Sequence, residues 1–76
     1  MKSTHDVVKN FLLKNGFTMP MQDTFTNGKC DIGITQQGYK VYIVDDDGFM
    51  YSENHEIYWL IGLLTCHGLI DKNYKQ

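Results

Sequence analysis

The chain has 76 residues, enough for one small domain, and 42% of them are hydrophobic, well above the level of a disordered chain. The formal charge is −2, and the chain has seven lysines but no arginine. The lack of arginine argues against a protein that reads a DNA groove. Two cysteines are too few for a disulfide framework, and no signal peptide pattern opens the chain, so we expect reduced thiols and a cytoplasmic protein.

The first predicted element is a helix over residues 4–15. Ser3 followed three residues later by Asp6 resembles a capping box, which favours a helix start. Asn15-Gly16-Phe17 predicts a left-handed helix end. The predicted apolar side consists of Val7, Val8, Phe11 and Leu12. Residues 18–22, around Pro20, are predicted to be an extended connection to a sheet.

An antiparallel meander of three to four strands follows, at residues 23–26, 29–35, 39–45 and 49–52. Two-residue turns at Asn27-Gly28 and Gln37-Gly38 would place Phe25 opposite Cys30 and Ile34 opposite Val41. For Asp46-Asp47-Gly48, a three-residue turn with a glycine bulge would place Ile43 opposite Tyr51.

This register predicts one apolar face of the sheet, formed by Phe25, Cys30, Ile32, Ile34, Val41, Ile43, Phe49 and Tyr51. The opposite face would carry polar side chains together with Tyr42, Val44 and Met50. Because register fixes which side chains share a face, these two sets are a direct consequence of the turns chosen.

The last predicted element, a helix over residues 55–67, contains the most apolar stretch of the chain but is too short to cross a membrane. Asn54 is a predicted N-cap, and Gly68-Leu69 predicts a Schellman end. The predicted core stripe is Ile57, Leu60, Ile61, Leu64 and Gly68. Trp59, Leu63 and Cys66 lie off this stripe and need cover from the first helix or from a partner.

Together these elements predict an α+β fold in one domain, residues 1–76, with an N-terminal helix, the meander and a C-terminal helix. Both helices are expected on the same face of the sheet. The polar tail at residues 71–76 is expected to be frayed.

No motif for catalysis or cofactor binding is present, so we expect neither an enzyme nor a cofactor. Aligning Gly48 with position six of an EF-hand loop puts Ile43 and Asn54 at the first and last ligand positions, which rules out that motif. Cys30, His55, Cys66 and His67 lack the spacing of a zinc site. Whether the acidic turn at residues 45–47 attracts a weakly held cation stays open.

The hairpin Tyr-Lys-Val-Tyr-Ile-Val-Asp-Asp-Asp-Gly at residues 39–48 and the helix Glu-Ile-Tyr-Trp-Leu-Ile-Gly-Leu-Leu at residues 56–64 resemble small uncharacterised proteins of phages and prophages. The resemblance covers residues 38–70 and rests on composition and the order of elements. It implies an accessory protein that acts inside a bacterial cell, in the host cytoplasm if phage-encoded, often by binding another protein.

These observations predict a small non-enzymatic module that binds a protein partner, in the manner of a phage inhibitor or regulator. The candidate partner-binding residues are Tyr42, Val44, Met50, Trp59 and Leu63. One alternative is a weak binder of single-stranded nucleic acid on the open sheet face, although nucleic acid is disfavoured as a partner. Another is a homodimeric structural protein. No membrane association is expected.

Overall fold

The computed structural model describes the backbone of residues 4–75 and the side chains of residues 6–75, so the predicted cap at Ser3 lies outside the described residues. The strands form a single antiparallel sheet in sequence order. The elements are α1 (Thr4–Lys14), β1 (Thr18–Met21), β2 (Thr24–Thr26), β3 (Cys30–Ile34), β4 (Tyr39–Ile43), β5 (Gly48–Tyr51) and α2 (Ile57–Cys66). The predicted α+β class is confirmed, with five strands rather than three or four.

The additional strand is β1, in the segment that was predicted to be a connection. It pairs with β2 through an irregular register in which Thr18 faces Thr26 and Met21 faces Thr24. Pro20 made this strand difficult to predict from the sequence, because proline has no N–H to donate to a neighbouring strand. An edge strand tolerates proline, since one of its sides has no neighbour.

The predicted registers of the first two hairpins are each wrong by two residues. Phe25 pairs with Ile32 rather than Cys30, and Ile34 pairs with Tyr39 rather than Val41. A shift of two residues leaves every side chain on its predicted face, because side chains in a strand alternate with a period of two.

Gly38 explains the error in the second hairpin. Thr35 donates its backbone N–H to the Gly38 carbonyl at 2.8 Å, so the two-residue turn is Gln36-Gln37. A Cβ at Gly38 would collide with the backbone carbonyl of Ser52. The glycine therefore permits the close approach of the segment after β5, and its role in the turn was misassigned.

The predicted register of the third hairpin is wrong by three residues. Because this shift is odd, it moves every side chain of β5 to the opposite face of the sheet. Val41 pairs with Met50, and Tyr42 pairs with Phe49. The turn is four residues long, at residues 44–47, and Asp47 takes the left-handed conformation (φ 50°) that was assigned to Gly48. Phe49 and Tyr51, predicted in the core, are therefore on the solvent side, whereas Met50, predicted outside, packs against the core.

The core lies between the sheet and the two helices and forms one cluster of buried side chains: Val8, Phe11, Leu12, Phe17, Phe25, Cys30, Ile32, Ile34, Tyr39, Val41, Ile43, Leu60, Leu64, Leu69 and Ile70. Tyr39 is a core residue that the sequence analysis missed. Its hydroxyl donates to the His55 carbonyl at 3.0 Å, which satisfies the polar end of a buried side chain. Val7, predicted to be buried, is 44% exposed.

Helix α2 buries Leu60 and Leu64 fully. Its end is the predicted Schellman motif, with Gly68 at φ 67° and Leu69 donating to the Leu64 carbonyl at 2.8 Å. Its start differs from the prediction, because the N-cap is Glu56, which makes no side-chain capping bond. Asn54 instead accepts a hydrogen bond from the Glu56 N–H at 3.0 Å.

The C-terminal tail was predicted to be frayed, but through Lys75 it is docked on α1. The Asn15 side chain donates to the Lys75 carbonyl at 2.6 Å and accepts from the Lys75 N–H at 2.8 Å. Tyr74 lies edge-on to Phe11, with 5.9 Å between ring centroids. The polar composition of the tail gave no indication of this contact, because a single tyrosine ring provides its apolar part.

A candidate binding site on the outer sheet face

Both helices cover one side of the sheet and leave the other side, here called the outer face, to solvent. Two cross-strand rows can be followed across β2 to β5 on this face. The first row is Thr26, Asp31, Tyr42 and Phe49, and the second is Thr24, Gly33, Lys40 and Tyr51. Threonines occupy the β2 end of both rows, whereas aromatic side chains occupy the β5 end.

Tyr42, Phe49 and Tyr51 form a continuous aromatic ladder at that end. The ring centroids of Tyr42 and Phe49 are 4.9 Å apart, and those of Phe49 and Tyr51 are 6.2 Å apart with nearly parallel planes. Phe49 is 52% exposed and Tyr51 is 64% exposed. Large apolar side chains gathered in this way mark interaction sites more often than isolated ones do.

A basic group, the Lys40 ammonium, contacts the aromatic ladder. The Lys40 ammonium lies 4.7 Å from the centroid of the Phe49 ring, which is the geometry of a cation–π contact. The contact holds the lysine stem over the ring and keeps its charge at the surface. Lys40 thereby covers part of Phe49 without removing the ring from solvent.

The opposite end of the aromatic ladder is acidic. The Tyr42 hydroxyl donates to Asp47 Oδ1 at 2.7 Å, and this hydrogen bond raises the pKa of Tyr42 because it favours the protonated phenol. Asp31 is the cross-strand neighbour of Tyr42 on β3. Two further carboxylates, Asp45 and Asp46, follow in the exposed turn. The ladder therefore has a lysine in contact with the Phe49 ring and carboxylates around Tyr42.

A shallow groove of about 320 Å³ runs beside the ladder. Its floor is at Gly33, where the missing side chain leaves a depression between β2 and β4. Its walls include Thr24, Asp31, Lys40 and Phe49. The outer face thus offers an aromatic ridge with a shallow, largely apolar depression next to it.

The structure does not bring the five predicted partner-binding residues together. Tyr42 is on the outer face, but Val44 lies in the β4–β5 turn at 43% exposure, and Met50 packs against the core. Trp59 and Leu63 are half-buried against the core, with the Trp59 ring 6.3 Å from that of Tyr39. The Trp59 ring thus packs against a residue of β4.

Phe49 and Tyr51 are the exposed residues that the sequence analysis missed. A signal for them existed in the turn, because aspartate tolerates the left-handed conformation almost as asparagine does. A turn with Asp47 in that conformation would have put both aromatic side chains outside.

A second, smaller groove of about 270 Å³ separates the two helices. Its apolar lining comes from Val7, Phe11, Ile57 and Ile61, and Tyr58 stands at its rim with 75% exposure. Among the described side chains that line it, no stacked aromatic pair like that of the outer face is present.

Neither cysteine belongs to a cluster of potential metal ligands, and within the described residues no three His, Cys, Asp or Glu side chains are arranged to hold an ion. Cys30 is fully buried, and burial raises the pKa of its thiol to about 11. Cys66 is exposed on α2. None of the described helices is long and apolar enough to span a membrane.

Comparison with known proteins gives no further information about this face. No family model matches the chain. No significant match is found among curated proteins or among solved structures.

Proposed function

We propose that this chain is a small non-enzymatic module that binds a protein partner through its outer sheet face. The observation that carries the proposal is the aromatic ladder of Tyr42, Phe49 and Tyr51, in which the Phe49 ring contacts the other two rings on the solvent side of the sheet. Burying such rings against a partner would stabilise a complex by the hydrophobic effect. Tyrosine and phenylalanine are also enriched in interface cores.

The charges around the ladder favour a protein over a nucleic acid. Binding to a phosphate backbone depends on several Lys or Arg contacts, whereas Lys40 is the lysine that contacts the ladder, and Asp31 and Asp47 lie at its other end. The resemblance to phage accessory proteins adds a setting, a partner inside a bacterial cell, and a role as an inhibitor or regulator of that partner.

Single-stranded nucleic acid is the second candidate, because stacked rings with a lysine beside them are a platform on which bases can stack. The specific observation in its favour is the exposed pair of Phe49 and Tyr51 with nearly parallel planes. Fluorescence anisotropy with a labelled oligothymidine tests it. Binding that is lost in Phe49→Ser and falls steeply with salt would replace our proposal with this one.

The main experiment is affinity capture from bacterial lysate with the native chain and with the double variant Phe49→Ser, Tyr51→Ser. Both positions are exposed, so we expect the variant to keep its circular dichroism spectrum. We expect mass spectrometry to identify a protein that the native chain retains and the variant loses. Its affinity for the two chains is then measured with purified components.

The matched control is Tyr58→Ser, which removes an exposed aromatic side chain from α2 on the other side of the fold. We expect it to retain the same partner. A partner that is lost with Tyr58→Ser and kept with the double variant would move the binding site to the groove between the helices.

A further inference from the structure

We propose that the open edge of β5 binds an extended segment of the partner by strand addition, and that this segment carries lysine or arginine at both ends. The inference rests on the proposed function and specifies the partner chemistry at the same site. It follows from the hydrogen-bond pattern at β5, from the difference between the two sheet edges and from the charges that flank β5.

The backbone of β5 presents unpaired groups to solvent. Ser52 donates its N–H to the Tyr39 carbonyl at 2.9 Å, and Tyr39 donates its N–H to Ser52 Oγ at 2.7 Å, so these two residues are a bonded pair whose return bond uses the serine hydroxyl. Such pairs alternate along an antiparallel ladder, which makes Met50 the next bonded position. The N–H and C=O groups of Phe49 and Tyr51 therefore point away from β4, and no described residue is hydrogen-bonded to them.

The two edges of the sheet differ in their protection. The β1 edge contains Pro20 and an irregular register, and both features hinder the pairing of another strand. The β5 edge is regular from Gly48 to Tyr51 and has no proline and no charged side chain. Unprotected edges of this kind are the ones to which a further strand adds.

The flanking charges determine which strand fits. Asp45, Asp46 and Asp47 precede β5, and Glu53 follows it by two residues, all of them exposed. A strand alongside β5 would bring its two ends close to these carboxylates. Basic side chains at both ends would form opposite-charge pairs there, whereas acidic ones would be repelled.

The same charges disfavour a second copy of this chain. In the two-fold pairing that joins Phe49 of one copy to Tyr51 of the other, Asp47 falls opposite Glu53 on both sides. Like charges directly opposite one another destabilise a strand pair. This register is therefore disfavoured for two copies of the chain, and we assign the occupant to a segment of a different protein.

The middle of the segment is defined by the aromatic ladder. On the outer face, alternate side chains of an added strand would lie beside Phe49 and Tyr51, 52% and 64% exposed in the free protein. Cross-strand partners for exposed rings are aromatic or β-branched side chains. The expected segment is therefore about four to six residues long, roughly the length of β5. Every second residue is Val, Ile, Phe or Tyr, and both ends carry Lys or Arg.

The test uses a display library of random linear twelve-residue peptides selected on the native chain. We expect enriched peptides to combine alternating apolar residues with Lys or Arg at both ends. Calorimetry then compares one enriched peptide with its singly N-methylated forms. Methylation at every second residue should weaken binding about tenfold or more, because it removes an amide that donates to β5, and methylation in between should have little effect.

Two protein variants provide the complementary measurement. Tyr51→Pro removes the outward N–H and the ring, and Tyr51→Val removes the ring alone. We expect Tyr51→Pro to bind the peptide about tenfold more weakly than Tyr51→Val, the equivalent of one lost backbone hydrogen bond with its partner left unpaired. The comparison of the peptide with its N-methylated forms uses the native chain, so it does not depend on how well either variant folds.

The outcomes separate this inference from the proposed function. Peptides that need Phe49 but show no alternation on N-methylation would overturn strand addition and leave the outer face as the binding surface. Peptides whose affinity is unchanged by Phe49→Ser and whose N-methylated forms show no alternation would overturn both. Alternation without a loss of affinity in Phe49→Ser would support strand addition and overturn the aromatic ladder as the binding surface. A library without enriched peptides would overturn the recognition of a linear segment, and the lysate experiment would still decide the proposed function.

Discussion

The Asn27 side chain joins two parts of the chain that are distant in sequence. Its Oδ1 accepts from the N–H groups of Lys29 and Cys30 at 2.9 and 3.1 Å, and its Nδ2 donates to the Leu69 carbonyl at 2.8 Å. The sequence pattern Asn-Gly predicted a two-residue hairpin turn here. In the structure, the side-chain amide closes a longer turn and is hydrogen-bonded to the segment after α2.

Asn27→Ala should therefore lower the free energy of unfolding by about 2 kcal/mol, because three backbone groups lose their partner in a half-buried position. Urea unfolding measures the change. Asn73→Ala, at an exposed position in the tail, is the matched control and should change stability by less than about 0.5 kcal/mol. Equal effects for the two variants would show that the Asn27 contacts contribute nothing.

The buried Cys30 and Tyr39 make stability sensitive to alkaline pH. Burial raises the pKa of Cys30 from 9.0 to about 11 and, with Glu56 nearby, raises the pKa of Tyr39 from 10.0 to about 12. A raised pKa in the folded state means that the unfolded chain releases its proton first. Stability is therefore complete below about pH 9 and falls as the pH rises towards 12.

Chemical denaturation at several pH values between 8 and 11 measures this loss. We expect Cys30→Ala to flatten the slope between about pH 9 and pH 11, because the thiol that ionises only in the unfolded chain is gone. Cys66→Ala, at an exposed position, should keep the slope of the native chain. An unchanged slope in Cys30→Ala would mean that the Cys30 thiol is not desolvated by the fold.

At the scale of the elements, the orientation of β5 determines which surface is available for binding. The observed register directs Met50 to the core and Phe49 to the outer face. The register predicted from sequence would reverse both side chains. The site proposed above exists only in the observed arrangement.

A charge placed at each position tests the register. Met50→Asp should destabilise the fold by about 2 kcal/mol or more, because it brings a carboxylate against apolar side chains. Phe49→Asp should cost under about 1 kcal/mol, since the position is solvent-exposed. Thermal and urea unfolding compare the two variants. A larger loss for Phe49→Asp would restore the register predicted from sequence.

At the scale of the whole molecule, the segment after α2 completes the core and docks on α1. Leu69 and Ile70 are buried beyond the end of α2. The tail then returns to α1, where Tyr74 meets Phe11 and Lys75 pairs with Asn15. In a domain of this size, such contacts are a sizeable part of a small net stability.

Tyr74→Ala should lower stability by about 1 kcal/mol, the usual contribution of an edge-on aromatic pair. Hydrogen exchange provides a second measurement, since the Lys75 amide is bonded to Asn15 in the native chain and should lose protection in the variant. Tyr58→Ala, which truncates a 75% exposed ring, is the control for both. A Lys75 amide that exchanges at the rate of an unstructured peptide in the native chain would contradict the docked tail.

The sequence by itself determined the features that depend on local periodicity and on glycine. Alternation assigned Cys30, Ile32 and Val41 to the core face, and two of the three hairpins kept those faces although their registers were wrong by two residues. Gly16 and Gly68 marked both helix ends, because the left-handed conformation there is a property of the residue itself.

Only the tertiary structure decided the orientation of β5, and with it the aromatic ladder. Turns of three and four residues are both compatible with Asp46-Asp47-Gly48, so local chemistry could not choose between them. The choice came from contacts distant in sequence: Met50 against the core, Ser52 paired with Tyr39, and the backbone of Ser52 passing over Gly38. Strand β1 and the docked tail could not be predicted from the sequence for the same reason, because contacts with neighbouring elements stabilise them.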